Sequence, residues 1–396
     1  MEEPATGRRA SSQTSGRAPR ARTFLRAAVA GSILLAAAAA TATGAHAQPI
    51  APSAPTVPAR DTLYVGDQVA NTVETFDAVT GFSKGTLVPV SAGLHAPHGI
   101  IPFEGDLLVV NQNQGLPIPG EILRFRADDG KLVKRTVPAL LRSGASNPNA
   151  PGAPDGMVVS DGKIVVADVQ DDPNNFVQGS VREYTEAGAL IRPLMKAPNA
   201  EIDPAQYHPR GVVVGPDGKL YVSSLVVIGG PNGHVVRFDP ERRKFIDTFI
   251  KNNGTTATDC TKNLNRPDGL VFGPDGNLYV TTFRASGGDP VKQDTDAILV
   301  FEGPFGRHPG ACIDQIDLDK PGALNGTRAF AQALLFGPRG DLFVPISGNG
   351  PDTGAIRRYN VRTHSFTNFA PPGTLVSPGY LAFGKTDPAT LAYGDE

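Results

Sequence analysis

Internal repetition constrains this chain more than any other feature. The segment HPRGVVVGPDGKLYVSS (208–224) recurs as RPDGLVFGPDGNLYVTT (266–282), and weaker copies stand at 96–111, 153–168 and 330–347. Each copy reads as a strand, a tight turn of the Asp-Gly type and a second strand, which is an antiparallel hairpin. Gly218 and Gly276 supply the positive φ that such a turn needs. A polar loop and a third strand follow, and the third strands carry one aromatic each, at Phe76, Phe125, Tyr184, Phe238, Phe301 and Tyr359. A weaker fourth strand, such as KFIDTFI (244–250), completes the unit.

Four antiparallel strands recurring every ~50–65 residues is the pattern of a β-propeller blade. The chain ends complete the count. SPGYLAFG (377–384) matches a first strand with nothing after it, while DTLYVGD (61–67) and NTVETFD (71–77) match second and third strands with no first strand before them. Joining them makes a blade shared by both termini, and the predicted fold is all-β: a six-bladed β-propeller of four-stranded antiparallel blades over residues 61–396. Such closure leaves no unpaired inner edge. A β-sandwich or a pair of barrels explains neither the repeat nor the split blade. The 45 Gly and 36 Pro in 396 residues also exclude a helical bundle or a long coiled coil.

Residues 1–47 differ from the rest. Arg8, Arg9, Arg17, Arg20, Arg22 and Arg26 precede an apolar run, Ala27 to Ala40, and Ala45-His46-Ala47 offers a cleavage site before Gln48. This reads as a signal peptide, too short in its apolar part to span a bilayer comfortably. The arginine pattern leaves Sec and Tat export both open. The Pro- and Ala-rich residues 48–60 read as a linker. The expected product is an exported monomer, periplasmic or extracellular, with no membrane span after signal removal. Its formal net charge of −2 gives no sign of a nucleic-acid-binding surface. The partner is then a small-molecule ligand or an unidentified protein.

In a propeller, inner strands start and second strands end on one face, where ligand sites gather. Aligning the repeats at P-x-G sets His98, Asp155, Arg210, Asp268, Gln332 and Gly379 around the channel. The second-strand ends give another ring of Asp67, Asn111, Asp168, Ser224, Thr282 and Ile346. Two readings of the inner ring stand side by side. His98, Asp155 and Asp268 could hold one divalent cation (Ca²⁺, Zn²⁺ or Mn²⁺) or act as acid and base. Alternatively, Arg210 pairs with both carboxylates and fills the channel top. Arg210, Gln332, Asn111, Asp168, Ser224 and Thr282 are candidate substrate contacts, with Arg210 suited to a carboxylate. His208, before Pro209, reads as a loop histidine. The run Asp168 to Asp172 reads as a solvated loop, with loose Ca²⁺ binding the alternative, and Asn253-Gly254-Thr255 and Asn325-Gly326-Thr327 match glycosylation acceptors, which carry little weight in a bacterial host.

G-P-D-G-[KN]-L-Y-V after P-x-G resembles NHL-type repeats and the wider six-bladed propellers related to SMP-30/gluconolactonase and streptogramin lyases, over about residues 60–387. That resemblance implies a small-molecule hydrolase of the lactonase kind, or a lyase, in which a cation polarises a carbonyl and a base moves the proton. As in many NHL-type proteins, it equally implies a non-catalytic binding scaffold. SMP-30-like lactonases place an early Glu, an Asn and an Asp around Ca²⁺, but the first-blade Glu-Gly-Pro is missing here, and Glu302-Gly303-Pro304 ends a third strand instead. The Trp of streptogramin lyases has no counterpart, since the chain contains no Trp.

Two cysteines in an exported chain favour one disulfide, Cys260–Cys312. The strand register opposes it by starting the two on opposite faces of their blade. The bridge then requires loop 251–265 to fold down the blade edge, or the loop between Pro304 and Ala311 to relocate Cys312.

Overall fold

A computed structural model of the chain describes residues 61–169, 179–198, 202, 207–225, 233–252, 259–282, 295–319, 328–348 and 353–394. The signal and linker segments, Gln170–Asp172, Asn253 and Asn325 lie outside these residues. The repeats fold into six four-stranded antiparallel sheets set around a channel, the predicted six-bladed β-propeller. In blade 1 the inner strand is Pro378–Phe383, hydrogen-bonded to Thr62–Asp67, which pairs in turn with Thr72–Asp77 and Ser83–Val88. The termini therefore share a blade. The inner strands of blades 2 to 6 are Pro97–Phe103, Pro154–Ser160, His208–Val214, Pro267–Phe272 and Leu335–Phe336. Among the described residues no helix is long and apolar enough to cross a membrane.

Local chemistry accounts for the hairpins. Gly218 and Gly276 adopt φ of 71° and 79°, and each turn closes with bonds such as Gly215 N–H to the Lys219 carbonyl at 2.8 Å. Second strands are apolar on both faces because each blade is covered by its neighbours. All six third-strand aromatics are buried to 1% exposure or less, so one large ring per repeat fills the space between adjacent sheets.

The P-x-G glycine has a steric cause. A Cβ on Gly99, Gly156, Gly211 or Gly269 would stand 2.9, 2.7, 2.5 or 2.6 Å from the carbonyl oxygen of Asp155, Arg210, Asp268 or Gln332 in the next blade. No side chain fits between inner strands at that separation. Blade 1 reverses the arrangement: its glycine, Gly379, stands at the ring position, and Tyr380 takes the place of the close-approach glycine.

The residues after the last strand also have a role that the repeat pattern does not reveal. They cross the face opposite the mouth, where the Pro388 and Ala389 carbonyls accept the N–H groups of Val159 and Val214 at 2.7 and 3.1 Å. Leu391 packs against the apolar clusters of several blades and lines the lower channel with Met157, Val212 and Leu270. The channel is thereby stoppered at that end.

Cys260 and Cys312 are joined, with Cα atoms 5.5 Å apart. Cys312 does start the outer strand of blade 5, opposite Phe301. Cys260 reaches it because the turn Cys260–Asn263 lies along that strand, with Asn263 donating to the Gln315 side chain at 2.7 Å. The loop path, rather than a shifted strand, resolves the conflict of register.

Two outcomes test this architecture. Deleting 377–396 removes an inner strand and should give insoluble or protease-sensitive protein, while Leu391→Ala in the intact chain should cost about 2 kcal/mol and leave the ring closed. A truncated chain with the parent melting temperature would exclude the shared blade. For the bridge, thiol titration of denatured, unreduced protein should find no free thiol. With a sequence separation of 52 residues, reduction should cost about 4 kcal/mol by the chain-entropy relation.

Candidate functional site

The inner-strand ring converges as the alignment requires. Asp155 and Asp268 are 0% and 2% exposed and His98 is 3% exposed. Arg210 donates from Nη1 to Asp155 Oδ2 at 2.7 Å, and its Nε finds no partner among the described residues. Tyr380 donates to Asp155 Oδ1 at 2.6 Å, with its hydroxyl 3.4 Å from Asp268 Oδ1. The reversed glycine thus has a chemical result: the one bulky side chain admitted at that level puts a phenol between two carboxylates.

His98 lies above this layer. Its Nδ1–H donates to the Ala96 carbonyl at 3.0 Å, which leaves Nε2 as the acceptor. Nε2 takes a hydrogen bond from the Gln68 amide at 3.0 Å and stands 4.0 Å from Asp155 Oδ1. Gln68 donates to Gln332 as well, so it straps His98 to Gln332 across the channel. Gln68 occupies the space vacated at Gly379, where a Cβ would meet its Nε2 at 2.3 Å.

Burial sets the protonation states. It raises the Asp268 carboxyl well above the usual carboxylate range, helped by the charge of Asp155 and opposed by Arg210 and the Tyr380 bond. Burial lowers the His98 imidazole despite the pull of Asp155 and Ala96. Burial also works against the Arg210 charge, but Asp155 and Asp268 more than restore it, and its pKa is raised. Tyr380 is raised first by burial and then by the two carboxylates. The floor is therefore one ion pair, Asp155 with Arg210, among neutral donors.

A cavity of about 500 Å³ opens above it, lined by Gln68, His98, Gln112, Gln114, His208, Arg210, Arg266 and Gln332 together with small and apolar groups. Asn111, Asp168, Ser224 and Thr282 are not part of this lining. Their side chains turn into the protein and satisfy backbone N–H groups of the chain entering each inner strand. Asn111 accepts from His95 at 2.6 Å, Asp168 from Gly152 and Ala153 at 2.9 and 2.8 Å, Ser224 from His208 at 3.1 Å and Thr282 from Asn265 at 3.1 Å. As successive strand side chains face opposite ways, the following residues, Gln68, Gln112, Val169 and Leu225, line the mouth instead. His208 lines it too, with Nδ1 2.9 Å from the Val169 carbonyl. Tyr380, Gln68, Gln112 and Arg266 are the residues that the alignment at P-x-G passes over. The departure Pro378-Gly379-Tyr380 was the visible signal for the first.

The donor set does not fit a resident cation. Both Asp155 oxygens are engaged, by Arg210 and Tyr380, Asp268 favours its neutral form, and the His98 acceptor is held by Gln68. Among the described residues no group of three or more His, Cys, Asp or Glu is placed to hold a metal.

No protein-family profile and no curated protein sequence matches this chain. Among solved structures it is similar to a periplasmic gluconolactonase from Pseudomonas aeruginosa, at 19% identity and a TM-score of 0.49, over 82% of this chain and 99% of that one. It is similar to a candidate 6-phosphogluconolactonase from Bacteroides fragilis NCTC 9343, at 15% identity and a TM-score of 0.49, over 84% and 99%. A protein from Lactobacillus plantarum gives 13% identity and a TM-score of 0.49, over 82% and 99%.

The protonation of the floor is measurable. A raised folded-state pKa means that the Asp268 contribution to stability is full below the unfolded value of about 4 and declines as pH rises toward the folded value. Asp268→Asn should therefore gain melting temperature relative to the parent as pH rises above about 4, until the raised folded-state value is passed. His98 has the opposite sign, being lowered, and its contribution is lost as pH falls below about 6.5. Arg210→Ala, which strands Asp155, should cost about 3 kcal/mol. A pH-independent offset for Asp268→Asn would mean that Asp268 is charged in the fold.

Proposed function

We propose that the protein binds a small polar organic molecule in the mouth cavity and hydrolyses it in the manner of a lactonase, without a metal. The carrying observation is the cavity itself: convergent amides, imidazoles and guanidinium groups over a floor of buried, perturbed titratable side chains. His98 serves as the base, because its fixed tautomer and lowered pKa keep Nε2 free of a proton near neutrality. Water attacks the ring carbonyl carbon and passes its proton to Nε2. Arg210 and the Gln332 amide stabilise the oxygen that becomes negative. The acyl C–O bond then breaks, and the leaving oxygen takes the proton back from His98 to give the hydroxy acid. Export fits the same reading: the arginine-led apolar segment before Ala47 supports it, as does the Cys260–Cys312 bridge.

One observation favours a second reading, a non-catalytic binding scaffold. The His98 acceptor is already occupied by Gln68, which closes the ring over the floor. A panel of lactones and esters decides between them. The hydrolase reading expects turnover that chelator leaves unchanged, a fall of about 10²-fold or more in His98→Gln, and retained turnover in Gln68→Ala. Absence of turnover across the panel, with a partner or ligand still captured, establishes the scaffold.

A further inference from the structure

We propose that Arg266 is an oxyanion anchor, so that the ligand of the mouth cavity is a small hydroxylated molecule bearing a carboxylate or phosphate. This rests on the mouth being a ligand site, and it is separable from the chemistry performed there. Three guanidinium groups influence one another in this region. Arg210 is neutralised by Asp155 at 2.7 Å, and Arg328 by Asp296 through bonds from Nε and Nη2, the former at 3.2 Å. Arg266 lies within the electrostatic reach of both and shares neither partner. Among the described residues its guanidinium makes no hydrogen bond, no ion pair and no contact with an aromatic face, although it is only partly exposed and lines the cavity.

The backbone beneath it is pinned. Asn265 and Arg266 both donate N–H groups to Thr282 Oγ1, at 3.1 and 3.5 Å, and the same loop is tied to the blade edge through Cys260. A positioned, partly desolvated cation beside two other cations is held against its own electrostatics. Burial, then Arg328, then Arg210 all disfavour its charge. An incoming oxyanion relieves all three. A guanidinium offers paired N–H groups matched to a carboxylate or phosphate edge. The described lining contains no carboxylate to repel such a group. Gln112, Gln114 and Gln332 present both donors and acceptors, which suits hydroxyls on the rest of the molecule.

Calorimetric titration of the chain with D-galacturonate and with D-galactose, its uncharged counterpart, isolates the charge; L-tartrate and inorganic phosphate extend the probe set. The expected result is binding of at least one of these anions that weakens with added salt, with galactose weaker than galacturonate by about tenfold or more. Arg266→Gln should abolish anion binding while leaving the melting temperature equal to or above the parent's, since among the described residues the side chain bonds nothing and its charge is opposed by Arg328 and Arg210. The proposal is overturned if all three anions fail to bind, if galactose equals galacturonate, or if Arg266→Gln binds them as the parent does. Lactone turnover in the same samples separates the two claims. Turnover without anion binding leaves the hydrolase and removes the anchor; anion binding lost in Arg266→Gln without turnover leaves the anchor and removes the hydrolase.

Discussion

The tight approach of the inner strands about the channel axis governs the rest of this molecule. At four of the blades a single methyl group would collide with the backbone of the next. Strands that close can expose only one residue per blade toward the axis at the mouth, and those residues must then satisfy one another. The fold thereby forces His98, Asp155, Arg210, Asp268 and Gln332 into contact distance of the same small volume. It allows one exception, Tyr380, which takes the close-approach position in blade 1, while Gly379 beside it makes room for Gln68.

Crowding titratable groups in this way has an electrostatic consequence. Two buried carboxylates beside one guanidinium cannot both keep full charge cheaply, so one is paired and the other is pushed toward its neutral form. The phenol of Tyr380 serves Asp155 and approaches Asp268 in a buried position. His98, neutral above them, is oriented by a backbone carbonyl rather than by a carboxylate. The floor of the cavity is thus close to neutral overall. Among the described residues, positive charge without a counter-charge lies one step further out, at Arg266, where a ligand can reach it.

The cavity is also one-ended. Leu391 and the tail that carries it stopper the lower channel, while the ring of Gln68, His98 and Gln332 with Tyr380 beneath closes the upper part. Access therefore lies on the mouth side. The Cys260–Cys312 bridge acts from the opposite end of blade 5, where Cys312 starts the outer strand beside Phe301. It clamps the loop that leads into the inner strand of blade 5, and so the backbone that presents Arg266 and Asp268.

The sequence by itself determined the blade count, the shared blade and the identity of the inner-ring residues, because each is written in a local period. A hairpin repeat, an aromatic every third strand and the P-x-G spacing are short-range patterns that survive without knowledge of the fold. Tertiary structure alone decided which of two adjacent residues faces the mouth. Asn111 and Gln112 are equally polar, and the inward bonds that Asn111 makes with His95, Gly93, Asn113 and Glu121 turn the first away from the mouth. It alone decided that the turn Cys260–Asn263 lies along the outer strand of blade 5 and brings Cys260 to Cys312, that residues 385–394 plug the channel, and that Tyr380 meets carboxylates from blades 3 and 5. Whether an arginine is paired is likewise a property of packing: Arg210, Arg266 and Arg328 look alike in the sequence, and their difference lies in which of them has a carboxylate within reach among the described residues.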